Sequence, residues 1–185
     1  IYSGPEQLLQ ESLISPSNII NIKLVKDGMT YEFIKNNGLW KQQKPFEMSM
    51  DSASMQALIE TAFYTPRFSV LKDRNDSLNL DGSQSISYSN GKNNVKIILG
   101  RKTLGGRAYA QINNEFPIVI GQQLHAFALD MDHKYWRDAR VFPNFSVDGK
   151  RIIREVGDNR MILERIDGTW SLQEPVFTRT NQDII

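Results

Sequence analysis

The sequence predicts an α+β fold, mainly antiparallel sheet packed with one or two amphipathic helices. Three observations predict it. Short runs of alternating apolar and polar residues are punctuated by Asp-Gly and Asn-Gly pairs, the dipeptides that favour tight hairpin turns. One segment after Asp51 carries helical periodicity instead. The pattern beginning at Ile22 also recurs from Ile152, an offset of 152 − 22 = 130 residues.

Taken in order, Pro5 suits the first turn of a short helix over Glu6 to Gln10, and Ser15-Pro16-Ser17-Asn18 breaks it. Ile19 to Val25 is aliphatic and β-branched, hence a strand. Asp27-Gly28 turns the chain, and Met29, Tyr31 and Phe33 then alternate with polar residues as a half-buried strand does. Asn37-Gly38 reverses it again before a third strand at Leu39-Trp40-Lys41. Asp51 is a good N-cap, and Met55, Leu58, Ile59, Ala62 and Phe63 fall on one helical face that covers the sheet. Pro66 ends that helix after Thr65. Hairpins resume at Ser85: Ile86 and Tyr88 alternate with serines, and Asn90-Gly91 leads into an apolar strand from Val95 to Leu99. Gly105-Gly106 turns, and Arg107 to Ile112 pairs with Phe116 to Ile120 across Asn113-Asn114. A short helix from about Gln122 to Leu129 and a strand from Tyr135 to Phe142 complete the unit.

At 185 residues, the chain holds one domain of ordinary size and a fragment, or one large domain. With 40% apolar and 23% charged residues it has material for a core, which excludes wholesale disorder and fibrous classes. A net charge of +1 argues against nucleic acid as a partner. Without cysteine there is no disulfide framework, thiolate nucleophile or Cys-ligated metal. The longest apolar stretches fall far short of the roughly 20 residues that span a bilayer. The chain opens on Ile1, and an upstream signal peptide or membrane anchor is expected.

The offset aligns Gly38 with Gly168, Trp40 with Trp170, Gln43 with Gln173 and Pro45 with Pro175. The turn Asn37-Gly38 meets Asp167-Gly168, and Asp51 meets Asn181, another good cap. The expected organisation is an N-terminal helix and linker at 1–18, a complete α+β unit at 19–145, and the opening meander of a second copy at 146–185. That meander either completes a shared core or belongs to a longer parent protein.

The hairpin followed by Gly38-x-Trp40, Pro45, Asp51 and an apolar helix resembles the start of the bacterial domain-of-unknown-function family 4340. Ile97-Ile98-Leu99-Gly100, Gly106 with Tyr109-Ala110, and Tyr135-Trp136-Arg137-Asp138-Ala139-Arg140 resemble later motifs of that family in the same order. The resemblance covers roughly residues 19 to 145 and restarts near 152. It implies an extracytoplasmic setting, in the periplasm or cell envelope, beside gliding-motility and ABC-transporter components, with tethering by a membrane helix. It implies an auxiliary, non-catalytic role with protein partners such as transporter subunits, and brings no catalytic residue or cofactor.

Several constellations are candidates for chemistry. Tyr135, Trp136, Arg137 and Arg140 form a candidate contact surface, since aromatics and arginine dominate binding hot spots. Exposed aromatics there, in a concave pocket, are what a glycan-binding module of the envelope would need. His125, Asp130, Asp132 and His133 hold the residue types of a metal or acid–base site, but five-residue and one-residue spacings do not share a face. A metal-dependent hydrolase on Asp130, Asp132 and His133 is thus the weakest of the three functional readings, and no metal site is expected. Asp130-Met-Asp132 imitates the Asp-x-Asp of phosphotransferases but lacks the alternating strands and helices around it. Gly100 to Arg107 has the glycines and cations of an anion-binding loop without the strand–loop–helix order that aims amides at a phosphate.

Overall fold

The computed structural model describes residues 6–9, 14–72, 76–138, 149–157, 159–174 and 178–179. The chain divides into two compact units, Ile1–Ala139 and Arg140–Ile185.

In the first unit the elements run β1 (Glu6–Gln7), a 3₁₀ turn (Pro16–Asn18), β2 (Asn21–Lys26), β3 (Met29–Asn36), β4 (Leu39–Lys44) and β5 (Met48–Ser49). After these come α1 (Ser52–Tyr64), β6 (Pro66–Val70), β7 (Ser85–Ser89), β8 (Asn94–Thr103), β9 (Arg107–Ile112), β10 (Ile118–Gly121) and α2 (Gln123–His125), which runs on as a π-type turn over Ala126–Asp130. The ten strands make one antiparallel sheet in the order β1-β6-β10-β9-β8-β7-β2-β3-β4-β5.

Strand alternation sets the core. Ile22 and Leu24, Tyr31 and Phe33, Ile86 and Tyr88, Ile97 and Leu99, and Ala108 and Ala110 occupy one face and are buried. Against that cluster pack Met55, Leu58, Ile59, Ala62 and Phe63, the five α1 residues that the periodicity predicts. Tyr88 ties the two layers together, its buried hydroxyl donating to the Leu58 carbonyl at 3.1 Å. The cap is also where expected: Asp51 Oδ2 accepts from the Ser54 N–H at 2.8 Å and from Ser54 Oγ at 2.7 Å.

Three expectations are corrected. Glu6 and Gln7 form a strand, not a helix, lying opposite Arg67 and Pro66, because a five-residue helix does not repay its nucleation while an adjacent strand edge offers pairing. The supposed linker is instead part of the first unit's core, contributing buried Leu8, Leu9 and Ile14. The strand expected from Tyr135 is a 3₁₀ turn over His133–Trp136, followed by a single bridge from Met50 to Arg137; residues 139–142 lie outside the described residues. β6 has no counterpart in the sequence reading.

The second unit is a four-stranded antiparallel meander, β11 (Arg151–Val156), β12 (Asn159–Ile166), β13 (Thr169–Glu174) and β14 (Thr178–Arg179). Ile152, Leu163 and Trp170 form its small buried cluster. Each of its strands begins and ends 130 residues after β2, β3, β4 or β5 respectively. Register breaks after Glu32 in the first meander and after Ile162 in the second, again at that offset. The turns match too, with φ of 50° and 81° at Asn37-Gly38 and 48° and 81° at Asp167-Gly168. Trp40 and Trp170 follow these turns and are both buried.

Candidate functional site

Of the candidate contact residues, the structure separates rather than gathers the set. Trp136 is 0% exposed. Its ring meets Phe33 edge-on at 6.0 Å, and the Lys26 ammonium sits 5.3 Å from its centre. It is a core residue, because the 3₁₀ turn is stapled to the start of α1: the Trp136 carbonyl accepts from the Asp51 N–H at 2.8 Å, and the Tyr135 carbonyl accepts from Ser54 Oγ at 3.3 Å. Tyr135 alone projects into solvent, with the Lys134 ammonium 5.4 Å from its ring. Arg137 is half-buried and Arg140 lies outside the described residues. Trp136 therefore offers no surface beside Tyr135 for a ligand to stack on.

The polar residues preceding that turn have structural partners. Lys26, which the sequence analysis did not single out, is buried and donates to the Met131 carbonyl at 2.7 Å and the Leu129 carbonyl at 3.3 Å. It thereby neutralises the carbonyl end of the 126–130 turn, where the helix dipole favours a cation. Burial pushes this ammonium below the ordinary lysine value, against the opposing pull of Asp27, Asp132 and Asp130. His125 is buried as well, its Nε2 2.8 Å from the Gly100 carbonyl, which fixes the proton on that nitrogen. Burial lowers its pKa, so the ring is neutral near pH 7, and buried Nδ1 has no hydrogen-bond partner among the described residues. Asp130 is paired with Lys102, and Asp132 caps the 3₁₀ turn by accepting from the Lys134 N–H at 3.0 Å. Among the described residues no group of three or more His, Asp or Glu side chains is placed to hold a metal ion.

The cations of the Gly100–Arg107 loop are similarly committed. Arg101 lies 5.6 Å from the Tyr109 ring centre and Arg107 4.6 Å from that of Phe68. Gly100 is a close-approach glycine beneath the Leu78 carbonyl, and Gly105 and Gly106 make the turn between β8 and β9 with φ of 78° and 73°.

The sequence reading did not single out a site on the opposite face of the sheet. There Asn21, Lys23, Val25, Gly82, Ser85, Ser87, Ser89, Asn94 and Lys96 line a groove of about 340 Å³. Pairing orders its floor into rows. Asn21, Ser89 and Asn94 lie side by side across β2, β7 and β8, and Lys23, Ser87 and Lys96 make the next row. Ser85, opposite Val25, is only 2% exposed, and its hydroxyl takes part in no hydrogen bond among the described residues. The loop at Gly82 walls that end, held by Asp81, which accepts from Ser83 N–H at 2.9 Å and Oγ at 2.6 Å. Such a surface offers hydroxyl and amide groups between two ammonium groups, and no histidine or carboxylate lines it to activate a serine. The Ser-x-Ser-x-Ser alternation was visible in the sequence; the flanking lysines needed the register.

Among family models, curated proteins and solved structures, none matches this chain. No helix among the described residues is long and apolar enough to cross a membrane.

Proposed function

We propose that this chain is an extracytoplasmic, non-catalytic interaction module of the family-4340 kind, auxiliary to a membrane transport or motility complex. In this reading residues 146–185 are the opening meander of a second copy of the α+β unit, and the protein presents repeated sheet surfaces to a protein partner. One observation carries it. The meander over residues 151–179 has the strand bounds, turn conformation and register break of that over 21–49, at a constant offset of 130 residues. Independent invention of the same bounds and the same break in one chain is far less economical than repetition of one unit, and repeated units serve as scaffolds for binding surfaces. The ordered motifs at Gly38-x-Trp40, Ile97 to Gly100 and Tyr135 to Asp138 supply the envelope setting. Commitment of His125, Asp130, Asp132 and Lys26 to structural partners favours binding over catalysis.

The reading is tested by affinity purification of the natural full-length protein from its own membranes in mild detergent, with the retained proteins identified by mass spectrometry. Stoichiometric recovery of transporter or motility subunits is expected. Recovery of the protein alone, from membranes where those subunits are abundant, refutes the auxiliary role.

A further inference from the structure

We propose that the groove across β2, β7 and β8 binds an anionic saccharide, a sugar bearing a carboxylate or a phosphate. The outward face of an antiparallel sheet is ordinarily a plain solvated surface, and three features set this one apart. It is a shallow open groove of about 340 Å³, several times what a lone inorganic anion fills. At one end Ser85 lines the groove, its hydroxyl without a hydrogen-bond partner among the described residues and so free to bond a ligand seated there. Its cations are spaced by the sheet. Lys23 and Lys96 sit on either side of Ser87, two strand spacings apart or about 10 Å, which leaves the width of a sugar ring between them.

Charge and hydrogen-bonding capacity then select the ligand. Among the described residues the carboxylate paired with a lining lysine is Glu32, 4.0 Å from Lys23 Nζ but closer to Lys44 Nζ at 3.1 Å, so the groove keeps positive charge. Lys96 has no ion-pair partner among the described residues. Between the ammonium groups, the hydroxyls of Ser85 and Ser87 and the amides of Asn21 and Asn94 both donate and accept, which suits the hydroxyls of a sugar. Val25 gives the ring an apolar contact. No step of bond breaking is implied, and the site stands on its own geometry, independent of the repeat reading and of any transporter partner.

The test is a titration of the ¹⁵N-labelled full chain with glucuronic acid, glucose 6-phosphate, glucose and inorganic phosphate, followed by amide shifts. Glucuronic acid and glucose 6-phosphate are expected to shift residues 21–25, 85–89 and 94–96 saturably, with Kd of about 1 mM, as a shallow polar site gives. Glucose is expected to bind at least about fivefold more weakly, the loss of one exposed charge contact. Lys23→Gln and Lys96→Gln should each weaken the anionic sugars by about fivefold, and Ser87→Asp, which sets a carboxylate between the lysines, should abolish their effect. These positions are exposed or half-exposed, so unchanged shifts elsewhere in the sheet will certify the fold of each variant. Absence of saturable shifts at these three strands overturns the proposal, as does unchanged affinity in the lysine variants. Inorganic phosphate binding as tightly as glucose 6-phosphate overturns it too, since the site would then be a simple anion patch.

Discussion

Replacing Trp136 separates a core residue from a contact residue. The indole is wholly enclosed, one edge contact to Phe33 at 6.0 Å and one cation contact to Lys26 at 5.3 Å being only part of what it touches. Truncation to alanine empties the largest fully buried side chain of the first unit and costs about 3–5 kcal/mol. Trp136→Phe keeps an aromatic edge for Phe33 and removes the buried Nε1–H, which has no hydrogen-bond partner among the described residues. Deleting an unpaired buried donor returns about 1–3 kcal/mol against the volume lost, so the phenylalanine variant should lose no more than about 2 kcal/mol. Urea unfolding by far-UV circular dichroism, reading the first unit's transition, measures both. Since a domain's whole stability is about 5–15 kcal/mol, the alanine variant should unfold visibly early. A Trp136→Ala protein within about 0.5 kcal/mol of the parent, as a surface substitution would be, refutes the packing argument.

Two further outcomes follow from particular contacts. His125 is held neutral by burial, its pKa below the ordinary 6.5, so the unfolded chain takes up its proton first as pH falls. Its contribution to stability is complete above pH 6.5 and declines as pH drops from there through the lowered native value; unfolding midpoints measured across that window should fall, and in His125→Gln the fall should be smaller. A methyl on Gly100 would run into the Leu78 carbonyl and meet Leu80 Cδ2 at 2.9 Å, so Gly100→Ala should cost about 1–3 kcal/mol through displaced backbone. Gly106→Ala faces open space and only the strain of positive φ, about 1–2 kcal/mol; equal thermal shifts that stay below 1 kcal/mol for both would contradict the close approach.

What was legible in the sequence was local. Asn37-Gly38 and Asp167-Gly168 announce their turns because the backbone there needs positive φ, and Asp51 announces its helix because a carboxylate must meet free amides. What was hidden depends on distant chain. β6 is a strand because β10 and β1 lie on either side of it, and its sequence, Pro66-Arg67-Phe68-Ser69-Val70, has no clean alternation. Nothing local to Lys26, beside its hairpin, announces burial, yet it is buried against carbonyls more than a hundred residues later. The same return of the chain converts Tyr135-Trp136-Arg137 from a plausible hot spot into one buried ring between an exposed and a half-buried neighbour. The groove was half legible, as three outward serines, and became a site only when pairing set Lys23 and Lys96 beside them.

The two meanders let register be separated from core. In the first, Leu24 is fully buried; Arg154, 130 residues on, is exposed. Glu32 stands outward against lysines, whereas its counterpart Ile162 is buried. If hydrophobic patterning alone fixed register, such exchanges would permit a slip, because a one-residue shift moves every side chain to the other face. Register is nonetheless the same, down to the break between Glu32 and Phe33 and between Ile162 and Leu163. The two segments share the turn pair before Trp40 and Trp170, with matching φ values, the buried tryptophan two residues after each turn glycine, and buried apolar residues at Ile22 and Ile152 and at Phe33 and Leu163. A two-residue turn of this kind dictates which residues face each other, and the tryptophan then fixes which face is inward. Matching turn chemistry together with a few shared inward apolar positions thus gives the same register in both segments, although Leu24 and Arg154 differ in burial.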